Sequence, residues 1–299
     1  MFKRILVALD GSSTAESILP AVISLAKLYG SWVTLCSIIP HQKTGQLFSK
    51  QYFLEKIELD SQAKLNLYLH EWESKLNSIG IRTDILIKTG NPPQEIIRLT
   101  EDSHYDLLAL ATRGRSGIMR WILGSVADHI IGSVPIPILL IAPHENVKYS
   151  FKQPIKLNSI IIPLDGSKLA ESVLPVAESI ALKSSAEITL IQAVPTVIQV
   201  YLGIEPQTYP IDILENLEER GNDYLSKVKR FLVNRGTKVE SKLLEGDASS
   251  SIINFCSQID HSLVTMTTRG NTGFSRWVLG SVADKIIRNI GGPVLLIKI

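Results

Sequence analysis

The 299-residue chain is predicted to be an α/β protein built from two tandem, doubly wound, parallel five-stranded sheets related by a pseudo-twofold. An internal repeat and the alternation of apolar runs with helical patterns predict this. The segment VALDGSSTAESILPAV (7–22) returns as IPLDGSKLAESVLPVA (162–177), with nine of sixteen positions identical at an offset of 155. ATRGRSGIMRWILGSVADHII (111–131) returns as TTRGNTGFSRWVLGSVADKII (267–287), with 14 of 21 identical at an offset of 156. So constant an offset means one unit was duplicated with almost no net insertion. Its length is that of a domain rather than a solenoid repeat. The domains are read as 1–143 and 155–299. HENVKYSFKQP (144–154) lies between them as a linker, polar, without apolar periodicity and ending in proline.

Within the first copy the strands are read as ILVAL (5–9), WVTLCSII (32–39), TDILIK (83–88), DLLALA (106–111) and IPILLIA (136–142). These runs are continuous rather than alternating, as in strands covered on both faces. Leu65, Leu69, Trp72, Leu76 and Ile79 step by four, three, four and three, which places them on one helix face. VKRFL (228–232) marks the equivalent helix of the second copy. Strand–helix alternation gives parallel strands with right-handed crossovers. Ser12 or Ser13 is the expected first cap, Asn91-Pro92 another, and Asp247 its counterpart. Pro20 and Pro175 lie inside the first helix of each copy and predict a kink there.

Composition narrows the function classes. Hydrophobic residues make up 45% of the chain, and 31 basic against 29 acidic side chains leave a formal charge of +2, spread evenly over both halves. Nucleic-acid binding needs a concentrated basic surface, which this balance does not supply. Cys36 and Cys256 sit at unrelated positions in apolar segments, which fits buried thiols in a reducing compartment. No apolar stretch approaches the ~18 residues of a membrane helix. The apolar run of MFKRILVALDGSS meets Asp10 too early for a signal peptide. The expectation is a soluble, cytoplasmic protein with neither nucleic acid nor membrane as partner.

In open parallel sheets ligands bind beyond the carboxyl ends of the strands, near the point where strand order reverses. Asp10 and Asp165 end the first strand of each copy, where a carboxylate can accept hydrogen bonds from ribose hydroxyls or serve a turn. The loop after strand four runs into Gly124-Ser125, and its copy into Gly280-Ser281. There the free N–H groups of a helix N-terminus favour a phosphate. Gly114 and Gly124 are separated by nine residues, as are Gly270 and Gly280. The pattern resembles the phosphate motif of universal stress proteins, Gly-x2-Gly-x9-Gly-Ser/Thr. The resemblance covers nearly the whole chain, from ILVALDGS to PILLIAP and PVLLIKI, and places the fold among the adenine nucleotide alpha hydrolase-like proteins.

The resemblance implies roles residue by residue. Asp10 and Asp165 lie by the ribose, and the backbone of Ile38 and Ala193 meets adenine. Gly114, Gly124 and Ser125, with Gly270, Gly280 and Ser281, cradle the phosphates of ATP. Any Mg²⁺ arrives with the nucleotide, because the six histidines show no ligand spacing. The motif's first glycine is Ala111 in one copy and Thr267 in the other. If that position needs a left-handed backbone, a β-carbon costs about 1–2 kcal/mol. The first copy is therefore expected to be the better site. Arg113, Arg115 and Arg269 are further phosphate candidates or solvated charges, and Trp121 and Trp277 are read as packing residues.

Family domains pair through their last strand, so the two copies are expected to pair within the chain, with a homodimer as a further assembly. The connections 40–56 and 195–213, with Phe48, Tyr52, Phe53, Tyr201 and Tyr209, form a lid or an interface. Three functions compete: a nucleotide-binding stress regulator, a nucleotide-independent interaction scaffold, and an ATP-using enzyme. The third has least support, since there is no GxxxxGK[ST] loop, no SGGxDS loop and no HxGH.

Overall fold

The computed structural model describes residues 1–40, 48–102, 104–112, 124–142, 155–196, 210–260, 262–268 and 279–298. The chain divides into two compact units, Met1–Ile155 and Lys156–Ile299. The first unit runs β1 (Arg4–Ala8), α1 (Ser13–Glu16), α2 (Leu19–Tyr29), β2 (Trp32–Pro40), α3 (Phe48–Ser78), β3 (Thr83–Gly90), α4 (Pro92–Asp102), β4 (Leu107–Ala111), α5 (Ser125–Ser133) and β5 (Ile138–Ile141). The second runs β6 (Ser159–Pro163), α6 (Lys168–Glu171), α7 (Leu174–Ser184), β7 (Glu187–Val194), α8 (Pro210–Val233), β8 (Val239–Glu245), α9 (Ala248–Cys256), β9 (Ser262–Thr267), α10 (Ser281–Asn289) and β10 (Pro293–Ile297).

Strands lie in the order β3-β2-β1-β4-β5 in one unit and β8-β7-β6-β9-β10 in the other, and all these neighbours are parallel. The central strands are buried on both faces, which is why Ile5, Leu6, Val7, Ile160, Ile161 and Ile162 occur in unbroken runs. The edge strands differ. Most of β3 is half-buried and β8 mixes buried with exposed positions, because an edge is covered less fully than the centre. On α3, Leu69, Trp72 and Leu76 are buried as the spacing requires, while Leu65 is only half-buried.

Three local expectations are refined. The kink at Pro20 and Pro175 is a break: α1 and α6 end, and each proline falls in the first turn of the next helix, where its missing N–H is harmless. The connections after β2 and β7 are partly helical, since α3 begins at Phe48 and α8 at Pro210. Residues 41–47, 197–209 and the linker 144–154 lie outside the described residues, Tyr201 and Tyr209 among them. The caps fall as expected, with Gln94 N–H donating to Asn91 Oδ1 and Ser250 N–H to Asp247 Oδ2.

Candidate functional site

The strand order reverses around β1, which has β2 on one side and β4 on the other. At its carboxyl end Leu9 N–H donates to Cys36 O at 2.8 Å, carrying the pairing one residue beyond the strand and delivering Asp10 to the edge. Asp10 Oδ1 accepts from Ser12 N–H at 3.0 Å and from the Ser12 hydroxyl at 2.6 Å. Ser12 Oγ in turn accepts from Ala15 N–H at 3.1 Å and caps α1. The chain turns through Gly11 at φ 81°, a left-handed conformation that favours glycine. The second unit repeats the turn, with Asp165 accepting from Ser167, Ser167 capping α6 and Gly166 at φ 81°. Of the two cap candidates, the structure uses Ser12. Each carboxylate braces its turn through Oδ1.

Beside this turn β4 ends at Ala111. Thr112 N–H donates to Ile141 O at 2.8 Å, and Thr112 O accepts from Gly124 N–H at 2.8 Å, which joins the end of β4 to the residue before α5. In the second unit Gly280 N–H donates to Thr268 O at 3.0 Å. Gly124 and Gly280 cap α5 and α10 at φ −60° and −62°, values open to any residue. Glycine there is not demanded by backbone conformation; it leaves the helix start without a side chain. The first intrahelical bond runs from Asp128 N–H to Gly124 O. The N–H groups of Ser125, Val126 and Ala127 thus precede the ladder, as those of Ser281, Val282 and Ala283 do in the second unit. Gly114, Gly270, Arg113, Arg115, Arg269, Trp121 and Trp277 lie outside the described residues.

Ala111 pairs with Ile141 inside β4, and Thr267 with Ile297 inside β9. Among the described residues only Phe2 and Ser185 combine a side chain with positive φ. The left-handed penalty considered for Ala111 and Thr267 therefore does not arise, because the end of a strand is extended. What separates the two is the bulk and the hydroxyl of Thr267, which is buried where Ala111 is half-buried. Ile38 pairs with Lys88 and Ala193 with Leu244, which places both at the same edge, half-buried.

One group escaped the sequence reading. Glu16 Oε1 accepts from Trp72 Nε1–H at 3.1 Å, stitching α1 to the long helix α3. The Tyr68 hydroxyl is buried nearby; burial, then Glu16 and Asp10, push its pKa up, so it stays protonated. Tyr224 repeats this against Glu171 and Asp165. The signal was present in the repeat. Between 62–78 and 218–234 only Asn66/Asn222, Tyr68/Tyr224, Leu69/Leu225 and Leu76/Leu232 coincide, and both leucines are core. The units also differ here, since the strand position holding Ser37 in the first holds Gln192 in the second. A Cβ on Gly166 would lie 4.0 Å from Gln192 Nε2. Cys36 and Cys256 are free and buried, and burial pushes both thiols up to about 12, so neither is a ready thiolate.

Two doubly wound units, each carrying an Asp-Gly-Ser turn beside a helix start at the carboxyl edge of its sheet, define a tandem α/β protein with a repeated strand-end arrangement. The sequence profile of the universal stress protein family matches residues 1–142 and 156–298, and the chain belongs to that family. Universal stress protein MJ0531 of Methanocaldococcus jannaschii is 34% identical over 139 residues, covering 46% of this chain and 81% of the relative. Universal stress protein Slr1230 of Synechocystis is 23% identical over 318 residues, covering 99% of this chain and all (100%) of the relative. The crystal structure of a universal stress protein from Archaeoglobus fulgidus superposes with a TM-score of 0.71 at 20% identity, covering 99% of this chain and 96% of that one, which shows the fold. Among the described residues no helix is long and apolar enough to cross a membrane, and no three His, Cys, Asp or Glu side chains gather as a metal site would require.

Proposed function

We propose that the chain is an adenine-nucleotide-responsive regulator of the stress response rather than a catalyst, with ATP as ligand and at most slow hydrolysis. The observation that carries this reading is the repeated edge: the Asp turn after β1 or β6 stands beside the helix start that follows β4 or β9. Donors for phosphate and an acceptor for ribose thus occur together twice. Asp10 and Asp165 accept from ribose, and the backbone at Ile38 and Ala193 meets adenine. The glycines, Ser125 and Ser281 hold the phosphates, and Mg²⁺ accompanies them. The first unit is the better site, because Thr267 sets more bulk at the strand end than Ala111 does.

Calorimetric titration of the nucleotide-stripped protein with Mg-ATP tests this beside Gly124→Glu and Gly280→Glu. Micromolar binding lost mainly in Gly124→Glu is expected, and equal losses in both variants would remove the ranking. Absence of heat in the unaltered protein would remove the nucleotide reading. It would also favour the second reading, a nucleotide-independent scaffold, to which the replacement of both first motif glycines already points.

A further inference from the structure

Gln192 lies on β7 one residue before Ala193, and its side chain spans from the turn after β6 to the long helix α8. A Cβ placed on Gly166 would lie 4.0 Å from Gln192 Nε2, and one placed on Gly221 of α8 would lie 3.7 Å from Gln192 Oε1. The amide therefore presents its N–H donors towards the turn that carries Asp165, while its carbonyl faces the helix. We propose that Gln192 is a sugar-reading residue of the second unit. Nε2 donates to the ribose hydroxyl from which Asp165 accepts, so this site distinguishes ribonucleotides from deoxyribonucleotides. The inference rests on the nucleotide reading above and deepens it.

The internal repeat shows that the fold does not require the amide. In the first unit Ser37 occupies this strand position and pairs with Ile87, as Gln192 pairs with Leu243. Half-buried Leu65 takes the helix position of Gly221. A short strand residue beneath leucine has thus been exchanged for a long one beneath glycine. Ser37 is 1% exposed, its hydroxyl sealed inside the unit, whereas Gln192 is half-buried.

The exchange carries two local costs. Gly221 sits inside α8, where glycine weakens a helix, yet a Cβ there would come within 2.7 Å of Leu243 Cδ1 and would meet the amide. Gln192 Oε1 is buried without a hydrogen-bond partner among the described residues, a cost that an apolar residue of the same length avoids. Neither cost returns anything to packing that Ser37 and Leu65 do not already supply. Local rules broken without a gain in packing mark positions held for function.

The chemistry selects a hydroxyl. A hydroxyl donates one hydrogen bond and keeps lone pairs that accept another. One that donates to Asp165 can accept from the amide beside the next residue of the turn, Gly166. A deoxy sugar leaves the amide without that partner, and a site built to bond a hydroxyl rejects the analogue that lacks it. The first unit brings only Asp10 to this task and is expected to discriminate less.

The test is titration of the nucleotide-stripped full chain with Mg-ATP, Mg-2′-deoxy-ATP and Mg-3′-deoxy-ATP. Gly124→Glu confines the measurement to the second site, and Gly280→Glu confines it to the first. At the second site ATP is expected to bind about tenfold or more tightly than at least one deoxy analogue. Gln192→Met keeps the length and removes the amide. It should narrow that gap to less than about threefold and leave the first site unchanged. Gln192→Ser, with the residue that the first unit uses, should do the same. An unchanged or raised thermal midpoint in Gln192→Met separates a lost contact from lost folding, since the unpartnered carbonyl goes with the amide. A second site indifferent to the sugar, a gap that persists in both variants, or ATP bound at the first site and not at the second overturns this inference alone. No ATP bound at either site removes the nucleotide reading and this inference with it.

Discussion

Where the first unit places Ile23 on α2, fully buried, the second places Glu178 on α7 and ties it to Arg235 at 2.5 Å, 57 residues later. The Arg235 counterpart in the first unit is Ile79, so an apolar pair of positions has become an ion pair. The inner layer barely registers the change. Strand order, the Asp-Gly-Ser turns and the caps at Ser12 and Ser167 are the same in both units. The comparison teaches that the sheet and its carboxyl edge are set by interactions the duplication preserved, whereas the outer helix layer is free to change as long as a buried charge keeps its partner.

The comparison can be broken or sharpened experimentally. The largest effect is expected from Ile23→Ala, which removes a fully buried side chain and should cost the first unit ~2–5 kcal/mol in chemical denaturation. Arg235→Ala leaves Glu178 buried without its cation and should lower the thermal midpoint. Glu178→Ile with Arg235→Ile, the residues of the first unit, should restore it. If Arg235→Ala has no effect, the pair is an ornament of the surface and the contrast loses its energetic content.

Smaller effects concern helix ends. Gly30 ends α2 at φ 62°, but its counterpart Ser185 ends α7 at φ 58° and carries a side chain into the left-handed region. Ser185→Gly should therefore stabilise the second unit by about 1 kcal/mol, and a loss of stability would show that the serine is not strained. The smallest effect lies at Asp247. Hydrogen bonds from the Ser249 hydroxyl and from the Ser250 N–H and hydroxyl hold its carboxyl at about 2, below an ordinary aspartate's 3.8. A lowered folded-state value stabilises above the ordinary one, so this contribution is present above pH 3.8 and is lost as pH falls towards about 2. The first unit caps α4 with Asn91, which does not titrate. Asp247→Asn should flatten the acid limb of stability by less than about 1 kcal/mol, read from denaturation midpoints between pH 5 and 2.

Much of the candidate site was legible because its signals are local. A strand that ends in Asp-Gly-Ser announces a turn and a cap, and the nine-residue spacing announces a loop returning to a helix start. Conformation at single positions was not legible. The motif alone left open whether Ala111 and Thr267 need a left-handed backbone, and each pairs as the last residue of its strand. Gly124 and Gly280 have an ordinary extended backbone. The Glu16–Trp72 bond joins residues 56 apart, and nothing in the local periodicity of either segment refers to the other.

By itself the sequence determined that the chain is a duplication, that each copy alternates strand and helix, where the caps and the Asp-Gly-Ser turns fall, and which family it resembles. Periodicity, turn chemistry and repetition are properties of neighbouring residues and survive without coordinates. Only the tertiary structure decided that the strand-end residues are unstrained, that Tyr68 and Tyr224 bury their hydroxyls against carboxylates, and that one outer helix face has exchanged its core for charge. Those outcomes depend on which side chains meet across the fold, and such meetings are fixed by packing rather than by spacing along the chain.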